Sequence, residues 1–295
     1  MDDDGLFQVA PAKVNLALHV TGRRDDGYHE LESLVAFAAV GDELRAEAAE
    51  RDSLTIAGPF ANGLGSGETN LVNRAVAAFR ARWPDAVEPL ALTLTKNLPV
   101  ASGIGGGSAD AAAALRLMAA RAGLPPTSAE LQQLALRLGA DVPACLLSRP
   151  LVMGGIGEEL QVLAAFPDLH IVLINPQVPL ATADVFRRLR AHDNYPLPAL
   201  PELLTRPAQL GIWLAETRND LQPPAVKLVP VIGDIIEDLA ATQGCMLARM
   251  SGSGATVFGL FGSEGQAHQA AQSMRARNPE HWVAAAPLLG GGVDQ

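Results

Sequence analysis

The chain has 295 residues, of which 48% are hydrophobic and 18% are charged, and its formal net charge is -10. This composition excludes a disordered chain, and the length is sufficient for two lobes that each bury a core. The negative charge excludes a general nucleic-acid-binding surface, so we expect no nucleic acid partner.

No apolar run in the sequence reaches the roughly 18 to 20 residues that a membrane span needs. The opening "MDDDGLFQV" lacks the basic start and apolar core of a secretory signal. We therefore expect no membrane partner and a cytoplasmic protein. Cys145 and Cys245 lie far apart and show no metal-ligand spacing, which predicts two buried free thiols.

The first predicted element is a strand in "AKVNLALHV", where apolar and polar residues alternate. Alternation is typical of a half-buried strand, with residues such as Val14 on the buried face and Lys13, Asn15 and His19 on the other. Further strands are predicted in "SLVAFAAV", "DSLTIAG" and "LALTLTK", and a helix in "NLVNRAVAAFRARW". The order of elements is mixed α and β.

A glycine-rich run, "SGIGGGSAD", comes next and leads into an alanine-rich helix that we expect to begin near Ser108. A dinucleotide fingerprint and a Walker A motif both require a glycine at this serine, so both are excluded. A linker or a purely structural turn is one interpretation of the glycine-rich run. Glycines ahead of a helix favour an anion site instead, because backbone N–H groups and the helix N-terminus can converge on a phosphate.

A second helix is predicted after the glycine-rich one, since Thr127 and Glu130 have capping-box spacing and a leucine stripe follows up to Gly139. The strand and helix pattern restarts after about Gly157. It continues to the C-terminal part of the chain through "LHIVLINP", "ATADVFRRLR", "VIGDIIEDLAATQG", "CMLARM", "TVFGLFG", "SEGQAHQAAQSMRAR" and "WVAAAPL". We expect two domains, 1-160 and 161-295.

Three segments, in order, resemble the motifs of the GHMP kinases, which phosphorylate small molecules: "PAKVNLALHVTGRRDDGYHELESL", "LPVASGIGGGSADAAAAL" and "MSGSGATVFGLF". The resemblance covers nearly the whole chain. It implies a two-lobed α+β fold, with a ribosomal-S5-like α/β N-terminal lobe that binds ATP and a ferredoxin-like α+β C-terminal lobe that contributes to a substrate cleft. The segment "DGYHEL" resembles the substrate loop of the members that phosphorylate a cytidine-diphosphate-bearing polyol in isoprenoid precursor synthesis.

The resemblance also implies roles for individual residues. Asp141 would accept or orient the proton of the acceptor hydroxyl, and Lys13 would keep it ionised. Substrate contacts would come from Asn15, Tyr28, His29 and Thr182. The expected ATP contacts are Asn70, Lys96, Pro99, Gly103, Ile104, Gly105, Gly106, Gly107 and Ser108.

Simpler interpretations stay open for several of these residues. Asp141 follows a glycine, where aspartate is often a turn or capping residue, and Tyr28 and His29 follow a common turn sequence. Asn70 and Thr182 are candidate helix caps, and Lys13 a solvated lysine at a strand entrance.

ATP and Mg²⁺ are the expected cofactors, and a small molecule carrying cytidine diphosphate is the expected partner of a monomer or weak homodimer. No carboxylate cage for the metal is visible, and the Ser108 hydroxyl is a weak candidate ligand. Two alternatives remain: a GHMP kinase that acts on mevalonate, homoserine or a sugar, and a non-catalytic nucleotide-binding protein of the same fold.

Overall fold

The structure, a computed structural model, describes residues 6–201 and 204–290. The strands are β1 Phe7–Arg23, β2 His29–Ala48, β3 Ser53–Ala57, β4 Leu90–Thr95, β5 Leu151–Gly154, β6 Glu159–Val162, β7 His170–Asn175, β8 Cys245–Met250, β9 Val257–Phe261 and β10 Trp282–Pro287. The helices are α1 Leu71–Arg82, α2 Gly106–Arg121, α3 Ala129–Leu138, α4 Val142–Leu147, α5 Thr182–Arg187, α6 Pro207–Ala215, α7 Gln222–Leu228, α8 Val231–Ala240 and α9 Glu264–Arg277. These elements confirm the predicted mixture of helices and strands.

Local capping chemistry decides two boundaries differently from the prediction. Helix α2 begins at Gly106, two residues before Ser108, because Gly105 adopts the left-handed conformation (φ 66°) that turns the chain into the helix. Helix α3 is capped by Ser128, whose side chain accepts a hydrogen bond from the Leu131 N–H, so the expected Thr127 cap is wrong by one residue.

Contacts within the chain divide it into two compact units. Unit 1 comprises the segment that ends at Ala12 together with Gly41–Val100 and Gly105–Ser148. Unit 2 comprises Lys13–Val40, Ala101–Ile104 and the chain from Arg149 onward. The chain crosses between the units several times, so this division differs from two consecutive segments that meet at residue 160. The boundaries 1-160 and 161-295 stay a prediction.

Unit 1 combines a small sheet with helices. Strand β4 pairs in antiparallel register with residues 43–48 of β2 and in parallel with β3. Helix α2 packs against α1, α3 and α4. Its residues from Ala109 to Ala119 are buried with the exception of Arg116, because alanine lets neighbouring helices approach closely.

Unit 2 contains an antiparallel four-stranded sheet in the order β10–β7–β9–β8. Helices α8 and α9 pack on it, and their apolar residues form one core with those of the strands. Residues 33–35 of β2 pair with β5, and β5 pairs with β6. Both sets of pairs are antiparallel.

Strand β1 corrects the prediction of a half-buried strand. Its residues are buried on both faces from Ala10 to Val20. The polar face is covered by other segments, which supply hydrogen-bond partners: the Asn15 amide donates to the Ser33 hydroxyl (2.7 Å), and His19 Nε2 accepts from the Arg218 N–H (3.1 Å). Alternation of apolar and polar residues shows which side chains are polar, but it does not show which are exposed. A polar side chain can be buried when it has hydrogen-bond partners.

The two thiols differ in exposure. Cys145 is buried as predicted, whereas Cys245, at the edge strand β8, is only half-buried, so this part of the prediction is wrong. Both are free cysteines. Across residues 6–201 and 204–290, none of the helices combines the length and the apolar character that crossing a membrane would require.

A buried arginine joins three segments of unit 2. Arg249 on β8 donates to the carbonyl oxygens of Leu16 (2.9 Å), Leu214 (3.1 Å) and Thr217 (2.8 Å), and to the Thr217 hydroxyl (3.0 Å). Burial lowers the pKa of Arg249 to about 10, so the guanidinium stays charged at neutral pH. The charge is stabilised by oriented carbonyl dipoles.

We expect Arg249→Met to lower the free energy of unfolding by about 2–4 kcal/mol, because three buried carbonyl groups lose their donor. Urea denaturation measures the change. Arg277→Met is the matched control, since Arg277 forms an exposed ion pair with Asp238 (3.3 Å) and its removal should cost less than about 0.5 kcal/mol. Equal losses in the two variants would contradict the role assigned to Arg249.

Candidate active site

The glycine-rich turn enters α2 in unit 1. Gly105 is the N-cap of α2, Gly106 and Gly107 form its first turn, and Ser108 follows. The first N–H groups of an α-helix have no partner within the helix, and no Cβ atom shields them here. Gly107 is exposed and Ser108 half-buried, so an anion can approach this end of the helix. Upstream of the turn, Pro99 is buried.

The preceding residues of the run belong to unit 2 and contact the β8–β9 turn, residues 251–256. The Ser251 hydroxyl donates to the Gly103 carbonyl (2.9 Å), and the Thr256 N–H donates to the Ser102 carbonyl (3.1 Å). A Cβ on Gly103 would lie 2.6 Å from the Ser251 carbonyl oxygen and 2.7 Å from the Gly254 carbonyl oxygen. The two glycine-rich motifs of the sequence therefore meet as backbone against backbone.

The middle of β1 is hydrogen-bonded both to the glycine-rich run and to the β8–β9 turn. The Lys13 N–H donates to the Ile104 carbonyl (3.0 Å), and the Asn15 N–H donates to the Ser251 hydroxyl (3.1 Å). Lys13 is only 3% exposed, so its interpretation as a solvated lysine is wrong. The predicted substrate residue Asn15 and the predicted ATP residues Gly103 and Ile104 thus share one hydrogen-bonded network.

The "DGYHEL" segment presents an aromatic surface. Tyr28 is 63% exposed and follows a turn in which Gly27 has a φ of 91°. The His29 ring stacks on Phe186 of α5 with the ring centroids 4.8 Å apart, and His29 Nε2 lies 3.0 Å from Nδ1 of His192. Burial, followed by the charges of His192 and Arg23, lowers the pKa of His29, which favours the neutral ring.

Thr182 lies at the first turn of α5, but the N-cap position belongs to Ala181. Its hydroxyl is exposed and 2.8 Å from the Ser253 hydroxyl of the β8–β9 turn. The capping interpretation of Thr182 is therefore wrong. The structure brings this predicted substrate residue to the turn that also holds Gly103 and Asn15.

Lys96, predicted to contact adenine, is buried in unit 1 between two carboxylates. Its ammonium forms ion pairs with Asp42 and with Asp110 (2.6 Å) and is only 4% exposed. Burial alone would lower the pKa of Lys96, but Asp110 and Asp42 outweigh it and raise the value. A side-chain contact with adenine stays a prediction, and the ammonium has a different use in the structure.

Asn70 caps α1: its side chain accepts from the Val72 N–H (2.9 Å) and donates to the Gly65 carbonyl (3.0 Å). Both ends of the amide are thus bonded to backbone, and a nucleotide contact by Asn70 stays a prediction. Asp141 is the N-cap residue of α4 and half-buried, yet its side chain makes no capping hydrogen bond.

Several residues of these networks were not predicted. Asp42 and Asp110 come together with Lys96 across 54 and 14 residues of sequence. Phe186 of α5 and His192, which follows α5, both contact His29. One signal was available: Asp110 is a lone acid within the apolar run "ADAAAAL", where a solvated charge is unexpected.

Gly103→Ala should lower the free energy of unfolding by more than about 2 kcal/mol, because the new Cβ meets backbone atoms and φ is +75°. Gly262→Ala is the matched control in unit 2, since a Cβ there has no neighbour within 4 Å. Thermal or urea unfolding of both variants compares them. A Gly103→Ala protein as stable as the control would show that the backbone contact is not tight.

The chain matches known families over most of its length. Residues 70–149 match the GHMP kinases N terminal domain, and residues 197–280 match the GHMP kinases C terminal model. A 4-diphosphocytidyl-2-C-methyl-D-erythritol kinase from a Chelativorans species is 51% identical over 94% of each chain. A relative of the same name from Paramagnetospirillum magneticum is 48% identical over 95% of this chain and 97% of its own.

Solved structures agree with the sequence relatives. The crystal structure of a 4-(cytidine 5'-diphospho)-2C-methyl-D-erythritol kinase is 34% identical, with a TM-score of 0.77 over 97% of this chain and 100% of its own. A homoserine kinase from Cytophaga hutchinsonii, 17% identical with a TM-score of 0.65 over 96% of this chain and 97% of its own, shares the fold. The predicted GHMP fold is thereby confirmed, and the chain belongs to the 4-diphosphocytidyl-2-C-methyl-D-erythritol kinase family of GHMP kinases.

Proposed function

We propose that this chain is an ATP-dependent kinase that phosphorylates the 2-hydroxyl of 4-diphosphocytidyl-2-C-methyl-D-erythritol in the non-mevalonate isoprenoid precursor pathway. The observation that carries the proposal is the 51% identity to a kinase of that name over 94% of both chains. At this identity and coverage, a shared reaction is the simplest inference.

The glycine-rich turn supports the ATP part of the proposal. Residues 105–108 offer N–H groups and the positive end of the α2 dipole to the phosphates, and no lysine or arginine side chain is needed for this. An acidic chain with a net charge of -10 can in this way bind an anion locally.

Magnesium would be bound mainly through the nucleotide. The described residues contain no group of three or more His, Cys, Asp or Glu side chains placed to hold a metal ion. The half-buried Ser108 hydroxyl on the first turn of α2 can supply one oxygen ligand, and phosphate oxygens and water suit the rest of an octahedral shell. The ion would neutralise phosphate charge during the transfer.

Phosphoryl transfer needs an in-line acceptor hydroxyl and a group that takes its proton. We assign the proton to Asp141, the half-buried N-cap residue of α4. Lys13 supplies positive charge, and Asn15 and Thr182 orient the acceptor. The Asn15 side chain is itself fixed by its hydrogen bond to Ser33 (2.7 Å), which favours a single substrate pose.

The aromatic surface around Tyr28 supports recognition of a cytosine ring. Tyr28 is free to stack on a base, and His29 is backed by Phe186 at 4.8 Å, so its ring is held in place. A neutral His29 can donate to or accept from the edge of the base. The cytoplasmic location and the monomeric or weakly dimeric state stay predictions.

A substrate panel tests the proposal most sharply. Purified protein with Mg·ATP should release ADP with 4-diphosphocytidyl-2-C-methyl-D-erythritol and show no comparable turnover with mevalonate, homoserine or a hexose. Efficient turnover of a compound without a cytidine group would defeat the assignment. ATP binding with no turnover of any compound would favour the non-catalytic alternative.

Asp141→Asn should lower kcat by roughly two to four orders of magnitude, because an amide cannot accept the hydroxyl proton. The binding of ATP, measured by calorimetry, should change little. Asp238→Asn, which removes an exposed carboxylate of α8, is the control and should retain wild-type kcat. Wild-type turnover in Asp141→Asn would remove this residue from the mechanism.

A further inference from the structure

Unit 1 contains a buried cluster of three charged side chains directly beneath the glycine-rich turn. Lys96, just after β4, forms ion pairs with Asp42 of β2 and with Asp110 of α2. All three residues are at most 4% exposed. We call them the ionic cluster. A buried group of this kind is costly unless its geometry is needed, because each charge has lost its hydration.

The ionic cluster is bonded to the backbone that leads into the turn. Asp42 Oδ1 accepts from the N–H groups of Asn97 (2.6 Å) and Leu98 (2.9 Å), the residues that connect β4 to the glycine run. On the other side, Asp110 lies in the first turns of α2, four residues after Gly106. The cluster therefore connects both chain segments that flank the turn in unit 1.

Gly106, the first residue of α2, lies next to the ionic cluster. A Cβ built on Gly106 would lie 3.5 Å from Lys96 Nζ and 3.7 Å from Asp42 Oδ2. The ionic cluster therefore lies next to the first turn of α2, whose N–H groups we assign to the phosphates.

The carboxylate oxygens of the cluster are not all satisfied. Two carboxylates share one ammonium, and Asp110 Oδ1 is a buried oxygen with no hydrogen-bond partner. Leaving a buried carboxylate oxygen without a partner costs free energy. The placement of Asp110 beside Lys96 is therefore kept at the expense of stability.

We propose that Lys96, Asp42 and Asp110 are positioning residues for ATP: they join the segment before the glycine-rich turn to α2 and so fix the backbone of the turn. The inference rests on the proposed function only in placing ATP at the turn.

The proposal gives Lys96 a role that differs from an adenine contact. Its ammonium neutralises one carboxylate and holds β4 to α2, so it acts on the nucleotide through the backbone. This also accounts for a lone acid in an alanine-rich helix, since Asp110 is the partner that α2 supplies to the ammonium.

The test is the dissociation constant of Mg·ATP, measured by calorimetry for wild type, Asp110→Ala and Asp110→Asn. Alanine removes the partner that α2 supplies to Lys96, whereas asparagine keeps an oxygen that can accept from the ammonium. We expect Asp110→Ala to bind ATP roughly threefold to tenfold more weakly than wild type, and Asp110→Asn to bind within about twofold of wild type.

Glu130→Gln is the matched control, because Glu130 is an exposed carboxylate of unit 1 paired with Arg82 (2.8 Å), and this variant should bind ATP as wild type does. Asp42→Ala removes the oxygen that accepts from the Asn97 and Leu98 N–H groups, so it should weaken ATP binding while leaving the KM for the acceptor unchanged. Wild-type ATP binding in a folded Asp110→Ala or Asp42→Ala protein, or an equal loss in Asp110→Ala and Asp110→Asn, would overturn the proposal. ATP binding needs no acceptor, so a failed substrate panel would not affect this result.

Discussion

The contact between two stretches of backbone at Gly103 is the constraint on which the candidate site depends. The β8–β9 turn lies so close to this residue that a Cβ would be 2.6 Å from the Ser251 carbonyl oxygen. Only glycine is compatible with such an approach. The Ser251 hydroxyl then joins the Gly103 carbonyl to the Asn15 N–H, so a residue far along the chain fixes both the glycine-rich run and a predicted substrate residue. Gly103, Asn15 and the β8–β9 turn belong to three separate motifs of the sequence, and hydrogen bonds join them into one network.

Buried charge is handled differently in the two units. In unit 2, Arg249 is surrounded by neutral oxygen acceptors and keeps its charge through their dipoles. In unit 1, Lys96 is surrounded by two carboxylates, which leaves an excess of negative charge and an unpartnered oxygen. Arg249 joins separate segments of unit 2. The ionic cluster holds the backbone on either side of the turn that we assign to the phosphates.

Local signals in the sequence were sufficient for much of the fold and for part of the site. The glycine-rich run and the alanine-rich helix after it are encoded in neighbouring residues, and so are most strands. The features that were not predicted from the sequence depend on contacts between distant residues. The burial of both faces of β1 depends on partners such as Ser33 and Arg218. The ionic cluster joins Asp42 and Lys96, which lie 54 positions apart. Lys96 was assigned by resemblance, and only its neighbours reveal that its ammonium is already engaged. Side-chain pairing at long range has no periodicity from which it could be inferred.

The central claim is that backbone N–H groups of the glycine-rich turn bind the phosphates of ATP. Amide NMR of uniformly ¹⁵N-labelled protein, titrated with Mg·ATP, tests it directly. We expect the largest shifts, following one saturation curve, at the amide signals of Gly105, Gly106, Gly107 and Ser108. If these four signals stayed in place while amides elsewhere shifted on saturation, the phosphates would bind at a different site and the claim would be wrong.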